Sequence, residues 1–205
     1  MKRRALRIQN LGGARAVILH RPHQLVQALE RQLRAIGLEV LQVWPELGPE
    51  VLGADFVFFD ADMGHDDQFP WAAGASPMPM IALIGSEAPG RIEWALRVGA
   101  HAQILKPVGD SGAYSALLIA RDAFDVQRAL SVEIADLRKR LDDRQTVVRA
   151  VTLLAARTGQ NDAAAYDQLR QLAMAWRVTF EEAAARVVAR MTQRQGDGDD
   201  RCNRG

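Results

Sequence analysis

The stretch SGAYSALLIARDAFDVQRALSVEIADLRKRLDDRQTVVRAVTLLAAR, residues 111–157, decides how this chain is organised. It contains no proline and only one glycine, Gly112 near its start, so nothing in its interior stops a helix. At about 1.5 Å per residue, this helix would be roughly 70 Å long, more than one small domain can bury. We therefore expect it to project, to join two domains, or to pair with a second copy of itself.

Apolar residues within this stretch follow the spacing of a coiled-coil seam. They lie four, three, four and seven residues apart: Leu130, Ile134, Leu137, Leu141 and Val148. Such spacing is typical of the a and d positions at which two helices meet. The sequence therefore predicts a coiled-coil helix over residues 111–143, with these five residues at a dimer contact that extends into the next domain.

Five short apolar runs precede the long helix, at residues 16–19, 38–43, 56–59, 80–84 and 103–105. Helical patterns or turn residues separate them, which predicts βαβ units and a five-stranded parallel sheet of the flavodoxin-like α/β class over residues 14–110. Ligands of such sheets bind where the strands end. The residues predicted at that edge are His20, Arg21, Asp60, Asp62, Ile84, Gly85 and Lys106.

Two further helices follow the long one. Asn161 is a favourable N-cap for a helix over 162–176, and Thr179 with Glu182 forms a capping box for a helix to about residue 193. With the end of the long helix they predict a three-helix, all-α domain over 144–194. Residues 1–13 are expected to be a flexible leader, and residues 195–205, which lack apolar content, a disordered tail.

Composition excludes several classes of protein. Of the 205 residues, 48% are apolar and 25% charged, and the formal net charge is +1. One cysteine excludes an internal disulfide framework, and no apolar run reaches the ~18–20 residues of a membrane span. We expect a cytoplasmic protein without a signal peptide. No phosphate-binding loop, zinc-protease motif or nucleophile elbow is present, so neither enzyme activity nor a cofactor or metal is expected.

Charge is distributed unevenly, however, and the predicted three-helix domain is locally basic. Residues 144–194 contain eight arginines and four acidic residues. Arginine suits phosphate and base edges, and aromatic rings nearby suit unpaired bases. The candidate RNA-binding residues are Arg144, Arg149, Arg157, Tyr166, Arg170, Trp176 and Arg177. The alternative is a solvated arginine face, with Tyr166 packed in the core.

The N-terminal half resembles a two-component receiver domain. The resemblance rests on Asp-Phe-Val-Phe-Phe-Asp at 55–60, Val-Gly-Ala at 98–100 and Leu-Lys-Pro at 105–107. It implies that Asp60 stands at the phosphoacceptor position, that Lys106 is its partner, and that the Lys106–Pro107 peptide bond is cis.

Other receiver residues are missing. His20, Arg21 and Pro22 replace the acidic pair that receivers use to hold a divalent cation, which prefers carboxylate oxygens. Ile84 replaces the hydroxyl at the end of the fourth strand. We therefore interpret Asp60 and Lys106 as a degenerate phosphoacceptor site that forms a structural pair.

The C-terminal part resembles the ANTAR domain, an RNA-binding antitermination module, over about residues 144–188. The matching positions are Arg149-Ala150, Leu153-Leu154, Arg157, Gly159, Ala165-Tyr166, Leu169-Arg170, Leu172-Ala173-Met174 and Ala183-Ala184. One departure concerns Val151, where the family often has a basic residue.

A degenerate receiver, a coiled coil and an ANTAR domain in this order resemble the AmiR/NasT class of antiterminators, and especially its amidase-operon branch. The resemblance implies a homodimer that binds paired hairpins in a nascent leader mRNA and prevents formation of a terminator hairpin. It also implies control by a cytoplasmic small-molecule-sensing partner with a periplasmic-binding-protein fold, which sequesters the antiterminator until a ligand releases it.

Two other functions remain open at this point. One is a response regulator switched by phosphorylation of Asp60, with a protein or DNA output. The other is a dimeric scaffold that binds a sensor protein but no RNA.

Overall fold

The structure, a computed structural model, describes residues 11–202, of which Glu50 and residues 192–202 are described by their backbone only. The chain divides into two compact units, Met1–Ala129 and Leu130–Gly205. The first unit holds a sheet and its covering helices, and the second is all helical.

The sheet has five strands: β1 (Arg15–Leu19), β2 (Glu39–Val43), β3 (Phe56–Asp60), β4 (Met80–Ile84) and β5 (Ala102–Leu105). All neighbours are parallel and their order is β2-β1-β3-β4-β5. This is the predicted flavodoxin-like, doubly wound sheet, so the fold-class prediction is confirmed. The order brings the ends of β1, β3, β4 and β5 together at one edge.

The helices are α1 (Gln24–Ile36), α2 (Pro89–Val98), α3 (Ala113–Thr158), α4 (Asp162–Trp176) and α5 (Phe180–Cys202). Two short 3₁₀ turns lie at Pro49–Gly53 and Asp66–Gln68. Helix α3 has 46 residues without interruption, as the absence of internal glycine and proline predicts. The Lys106–Pro107 bond is cis, as the receiver resemblance implies, and so is Trp44–Pro45.

Two apolar cores cover the two faces of the sheet. Phe56 and Phe58 of β3 pack in one core together with Leu29 of α1 and Leu117 of α3. Phe59, the next residue along β3, points into the other core, which includes Trp94 of α2. Because both faces are covered, the central strands β1, β3 and β4 show no alternation of apolar and polar residues, and their polar residues, Arg15 and Asp60, lie at strand ends.

The second unit is built around small side chains. Its core includes Ala150 and Leu154 of α3, Leu169 of α4 and Ala184 and Val187 of α5. Alanine at the contact positions lets helices approach closely.

Both predicted helix caps of the second unit are present. The Ala164 N–H donates to Asn161 Oδ1 at 2.9 Å, and the Glu182 N–H donates to Thr179 Oγ1 at 3.2 Å. These caps satisfy backbone donors that have no partner within the helix.

The two ends of the described chain differ from the predicted leader and tail. Leu11 is buried in the core and the Gly13 N–H donates to the Gly37 carbonyl at 2.9 Å, so residues 11–13 pack against the first unit. Residues 1–10 lie outside the described residues. Helix α5 continues to Cys202, past the predicted end near residue 193, because the stretch contains no proline and its two glycines weaken a helix without breaking it.

No helix in the described part of the chain is long and apolar enough to cross a membrane.

Candidate functional site

The ends of β3 and β5 bring together the two residues of the degenerate phosphoacceptor site. Asp60 is the last residue of β3 and only 3% exposed. Lys106 follows β5, and its Nζ lies 2.6 Å from Asp60 Oδ1. A buried carboxylate requires a partner of this kind, because an isolated charge out of water is strongly unfavourable.

His20, at the end of β1, is the second partner of Asp60. Its Nε2 lies 3.2 Å from Asp60 Oδ2, and its Nδ1 lies 2.7 Å from the Arg21 carbonyl oxygen. Both ring nitrogens of His20 therefore face oxygen atoms. The side chain is 4% exposed, so this imidazole is buried beside Asp60.

Asp62 is the site residue whose role the sequence did not reveal. Its carboxylate accepts hydrogen bonds from Lys106 Nζ at 2.9 Å, the Gly85 N–H at 2.9 Å and the Ser86 N–H at 2.8 Å. Partial burial raises the pKa of Asp62, but these hydrogen bonds outweigh it, and the pKa lies below its ordinary value. Because Asp62 lies two residues after Asp60, the sequence predicted that it lies at the edge of the sheet. The sequence did not predict its hydrogen-bond partners.

These residues do not fit a divalent cation. Magnesium prefers carboxylate oxygens and water, whereas Asp60 and Asp62 already share the Lys106 ammonium, and Asp60 also faces the His20 ring. Among the described residues, no group of three or more His, Cys, Asp or Glu side chains could hold a metal ion.

A cavity of about 640 Å³ opens beside the ion cluster. Its lining includes the site residues Asp60, Asp62 and Lys106 and apolar side chains such as Leu25 and Val108. The cavity therefore gives one side of the cluster access to small molecules while the carboxylates remain bound to their own partners.

In the second unit, the arginine side chains form an exposed basic surface. Seven arginines lie between Arg144 and Arg190, all of them exposed. Within the described residues, only Arg186 forms an ion pair, to Glu182 at 2.8 Å. The predicted residues Arg144, Arg149, Arg157, Arg170 and Arg177 therefore have no carboxylate partner among the described residues.

The two predicted aromatic residues already contact other side chains of the protein. Tyr166 is 40% exposed, with its ring centroid 4.9 Å from that of Phe180 and the Arg170 guanidinium 5.6 Å from it. Trp176 is partly buried, and the Arg190 guanidinium lies 4.9 Å from its ring. Arg190 was not among the predicted site residues. It lies 14 residues after Trp176, on the next helix, and no pattern in the sequence predicts that the two side chains meet.

The predicted coiled-coil residues are exposed in the single chain. Their exposed fractions lie between 48% and 65%, for Leu130, Ile134, Leu137, Leu141 and Val148. A row of large apolar side chains along one helix is the kind of surface that another protein segment covers.

Comparison with known proteins agrees with this arrangement. The family described as "AmiR, N-terminal" matches residues 14–121, and the ANTAR domain matches residues 135–188. The aliphatic amidase regulator of Pseudomonas aeruginosa is 26% identical over 161 residues, which cover 77% of this chain and 82% of that protein. The transcriptional regulatory protein PdtaR of Mycobacterium tuberculosis is 29% identical over 184 residues, which cover 85% of this chain and 89% of that protein.

Among solved structures, a response regulator from Thermotoga maritima has a TM-score of 0.43 and 17% identity, covering 53% of this chain and 98% of that chain.

The first family match spans more than half of the 205 residues, and the ANTAR match falls on the helices that carry the exposed arginines. The chain therefore belongs to the AmiR N-terminal family and, through its ANTAR domain, to the ANTAR antitermination regulators.

Proposed function

We propose that this protein is an RNA-binding transcription antiterminator that acts as a homodimer on two adjacent hairpins of a nascent leader mRNA. Binding would hold the hairpins in a form that prevents a downstream terminator hairpin. The single observation that carries the proposal is the exposed, unpaired arginine surface of the helical unit.

The charges of this surface support a nucleic-acid partner over a solvated face. Four acidic residues accompany the eight arginines of residues 144–194, and among the described arginines only Arg186 is neutralised by one of them. Unpaired guanidinium groups that replace counterions along a phosphate backbone supply most of the non-specific affinity for nucleic acid. The rest of the chain carries a slight excess of acidic residues, so the attraction for a polyanion is concentrated in the helical unit.

Tyr166 and Trp176 support single-stranded loop bases as part of the target. Each ring is held by protein contacts, from Phe180 and Arg170 for Tyr166 and from Arg190 for Trp176, which fix its orientation. A ring held in place loses little conformational freedom when a base stacks on its exposed part, and such stacking contributes about 1–3 kcal/mol per base.

The dimer part of the proposal rests on the exposed seam of α3. The five seam residues follow a heptad pattern on one helix, and parallel pairing of two copies would bury them against each other. One dimer would then present two ANTAR domains to two hairpins. Arg149 and Arg157 follow the seam on the same helix, which would couple dimerisation to the position of the RNA-binding surfaces.

Control by a partner protein completes the proposal. The order of a degenerate receiver, a coiled coil and an ANTAR domain supports a cytoplasmic sensor of periplasmic-binding-protein fold that sequesters the dimer until a small molecule releases it. The closed ion cluster of Asp60 also favours control by binding over control by phosphorylation.

The decisive experiment measures RNA binding by the full chain. RNAs would be selected from a pool in which two hairpins with randomised loops are joined by a randomised spacer, and affinity would be followed by fluorescence anisotropy across a salt series. We expect tight, salt-dependent binding. Arg149→Ala and Arg170→Ala should weaken it, each lowering the slope of log K against log salt by about 0.7–1.

Arg186→Ala is the matched control, because it removes the same charge from the same domain but from an arginine already paired with Glu182. Its effect on affinity should be clearly smaller. Failure to select any RNA, or equal affinities for wild type and all three variants, would favour a dimeric scaffold that binds only a sensor.

The phosphorylation alternative has its own test. Acetyl phosphate with magnesium should give no covalent adduct on Asp60, measured by intact-protein mass spectrometry at neutral pH. An adduct that disappears in Asp60→Asn would establish a phosphorylated response regulator instead.

A further inference from the structure

Three nitrogen donors converge on a small volume at the edge of the sheet. They are Lys106 Nζ after β5 and the backbone N–H groups of Gly85 and Ser86 in the loop after β4. We propose that these donors form an oxyanion-binding site whose resident occupant is the protein's own Asp62 carboxylate, which keeps external phosphate-like anions out.

The hydrogen-bond geometry is that of a bound anion. Asp62 Oδ1 accepts from Ser86 N–H at 2.8 Å, and Oδ2 accepts from Gly85 N–H at 2.9 Å and from Lys106 Nζ at 2.9 Å. Two backbone donors with an ammonium group are a set that recurs around carboxylates and phosphates, because each bond to a charged acceptor is stronger than a neutral one.

Gly85 provides the space that the carboxylate occupies. A Cβ atom at position 85 would lie 2.8 Å from Asp62 Oδ2 and 3.3 Å from Lys106 Cδ. Real Cβ atoms do not approach an oxygen so closely, so any side chain at this position would displace the carboxylate. Glycine at this position therefore leaves room for the carboxylate that the three donors hold.

Asp62 reaches this volume from a different strand than its donors. It follows β3, whereas Gly85 and Ser86 follow β4 and Lys106 follows β5. The carboxylate therefore ties three strand ends together. It also shares Lys106 with Asp60, whose Oδ1 accepts the Asp62 N–H at 2.9 Å, so both acids of the edge belong to one closed network.

Removal of the carboxylate would open the site without removing its donors. Gly85 and Ser86 are exposed, and the Asp62 side chain is 23% exposed, so an ion from solution can reach the position. Lys106 would then retain Asp60 as its only carboxylate partner among the described residues, and two N–H groups would face a vacated, carboxylate-sized volume. A tetrahedral oxyanion such as phosphate or sulfate matches this set of donors.

The test compares the full-length wild type with Asp62→Ala in sodium phosphate and in sodium chloride of matched ionic strength. We expect phosphate to raise the Tm of the variant by about 3–6 °C at ten times its Kd, and to leave the wild type unchanged. In ¹⁵N NMR spectra, the Gly85 and Ser86 amide signals of the variant should shift with phosphate and reach saturation.

Two controls separate this site from general ion effects. Asp67→Ala removes an exposed carboxylate from the loop after β3 and should behave like the wild type. The double variant Asp62→Ala/Lys106→Met removes the ammonium and should lose the phosphate response.

Equal shifts of these amides in the wild type and in Asp62→Ala, or no shift in the variant, would overturn the proposal. Asp62→Ser carries the same test if Asp62→Ala does not fold, because the shorter serine side chain also vacates the carboxylate position and leaves Lys106 without the Asp62 charge. Phosphate should then still stabilise this variant more than the wild type. This inference does not depend on RNA binding, and each can fail without the other.

Discussion

Lys106 places its Nζ atom 2.6 Å from Oδ1 of Asp60, across the parallel strands β3 and β5, which are separated by β4 in the sheet. Asp60 is 3% exposed and the Lys106 side chain 16% exposed, so the pair is largely out of water. The same ammonium also binds Asp62 at 2.9 Å. Two neighbouring carboxylates thus share one cation.

Substitution of Lys106 should therefore be among the most destabilising single changes in the first unit. Lys106→Met keeps the aliphatic stem but leaves Asp60 and Asp62 facing each other without the ammonium. We expect a loss of about 3–5 kcal/mol in the free energy of unfolding, measured by urea denaturation with circular dichroism. Arg140→Met is the comparison, because the Arg140–Asp136 pair is exposed and should contribute less than about 0.5 kcal/mol. Similar losses for both variants would contradict this reading of the buried cluster.

The free energy of unfolding should depend on pH through the ionisation of the Asp62 carboxylate. Its pKa is lowered in the folded state by Lys106, Ser86 and Gly85, in spite of partial burial, whereas an unfolded aspartate titrates near pH ~3.9. A lowered pKa contributes stability that is fully present above the unfolded value and is lost as the pH falls through the folded value.

Asp62→Asn should consequently be less stable than the wild type at pH 7, and the difference should shrink below about pH 4. Urea denaturation of both proteins at a series of pH values measures it. In a Lys106→Met background the difference at neutral pH should be much smaller, since Lys106 is the strongest of the stabilising contacts. A constant difference from pH 7 to pH 3 would show that Asp62 acts through packing and not through its charge.

Gly64 should tolerate no side chain, because Trp94 of α2 packs directly against it. A Cβ atom there would collide with the Trp94 ring and would lie 2.5 Å from the Asp60 carbonyl oxygen. Gly64→Ala should destabilise the protein by about 1–3 kcal/mol through overpacking.

The matched control for Gly64→Ala is Gly90→Ala in α2, where a Cβ meets nothing within 4 Å. That variant should be stabilised by about 0.5–1 kcal/mol, because alanine has the higher helix propensity. Both values come from the same urea denaturation, and a stable Gly64→Ala protein would mean that Trp94 can move aside.

The sequence alone predicts what is local in this molecule. Phe56–Asp60 and Met80–Ile84 are continuous apolar runs, and both are buried strands. Asn161 and Thr179 act as helix caps because a cap is decided within four residues. The resemblance to receivers also predicted that Asp60 and Lys106 lie at the same edge of the sheet, and the parallel strand order places them there.

What the sequence alone does not predict is contact between distant segments. Asp62 binds the backbone of Gly85 and Ser86, and backbone donors have no residue type that a motif could show. Likewise, the sequence showed that His20 replaces an acidic residue of receivers, but it did not predict that the buried His20 contacts Asp60. That contact depends on the register of β1 against β3. Such contacts follow from three-dimensional register, which periodicity does not encode.

The seam of α3 provides the test that links structure to regulation. Leu137 and Leu141 are 55% and 56% exposed in the single chain, and in the proposed dimer they would be buried at adjacent a and d layers. Leu137→Asn/Leu141→Asn should give monomers with unchanged helical content, measured by sedimentation equilibrium and circular dichroism. Val132 is 64% exposed on the same helix but lies outside the heptad seam, so Val132→Asn is the matched control and should remain dimeric.

The Leu137→Asn/Leu141→Asn double variant should also lose antitermination in a reporter assay, because one chain would present one RNA-binding surface to two hairpins. Monomers that bind two-hairpin RNA and antiterminate as well as the wild type would leave α3 as a connector only.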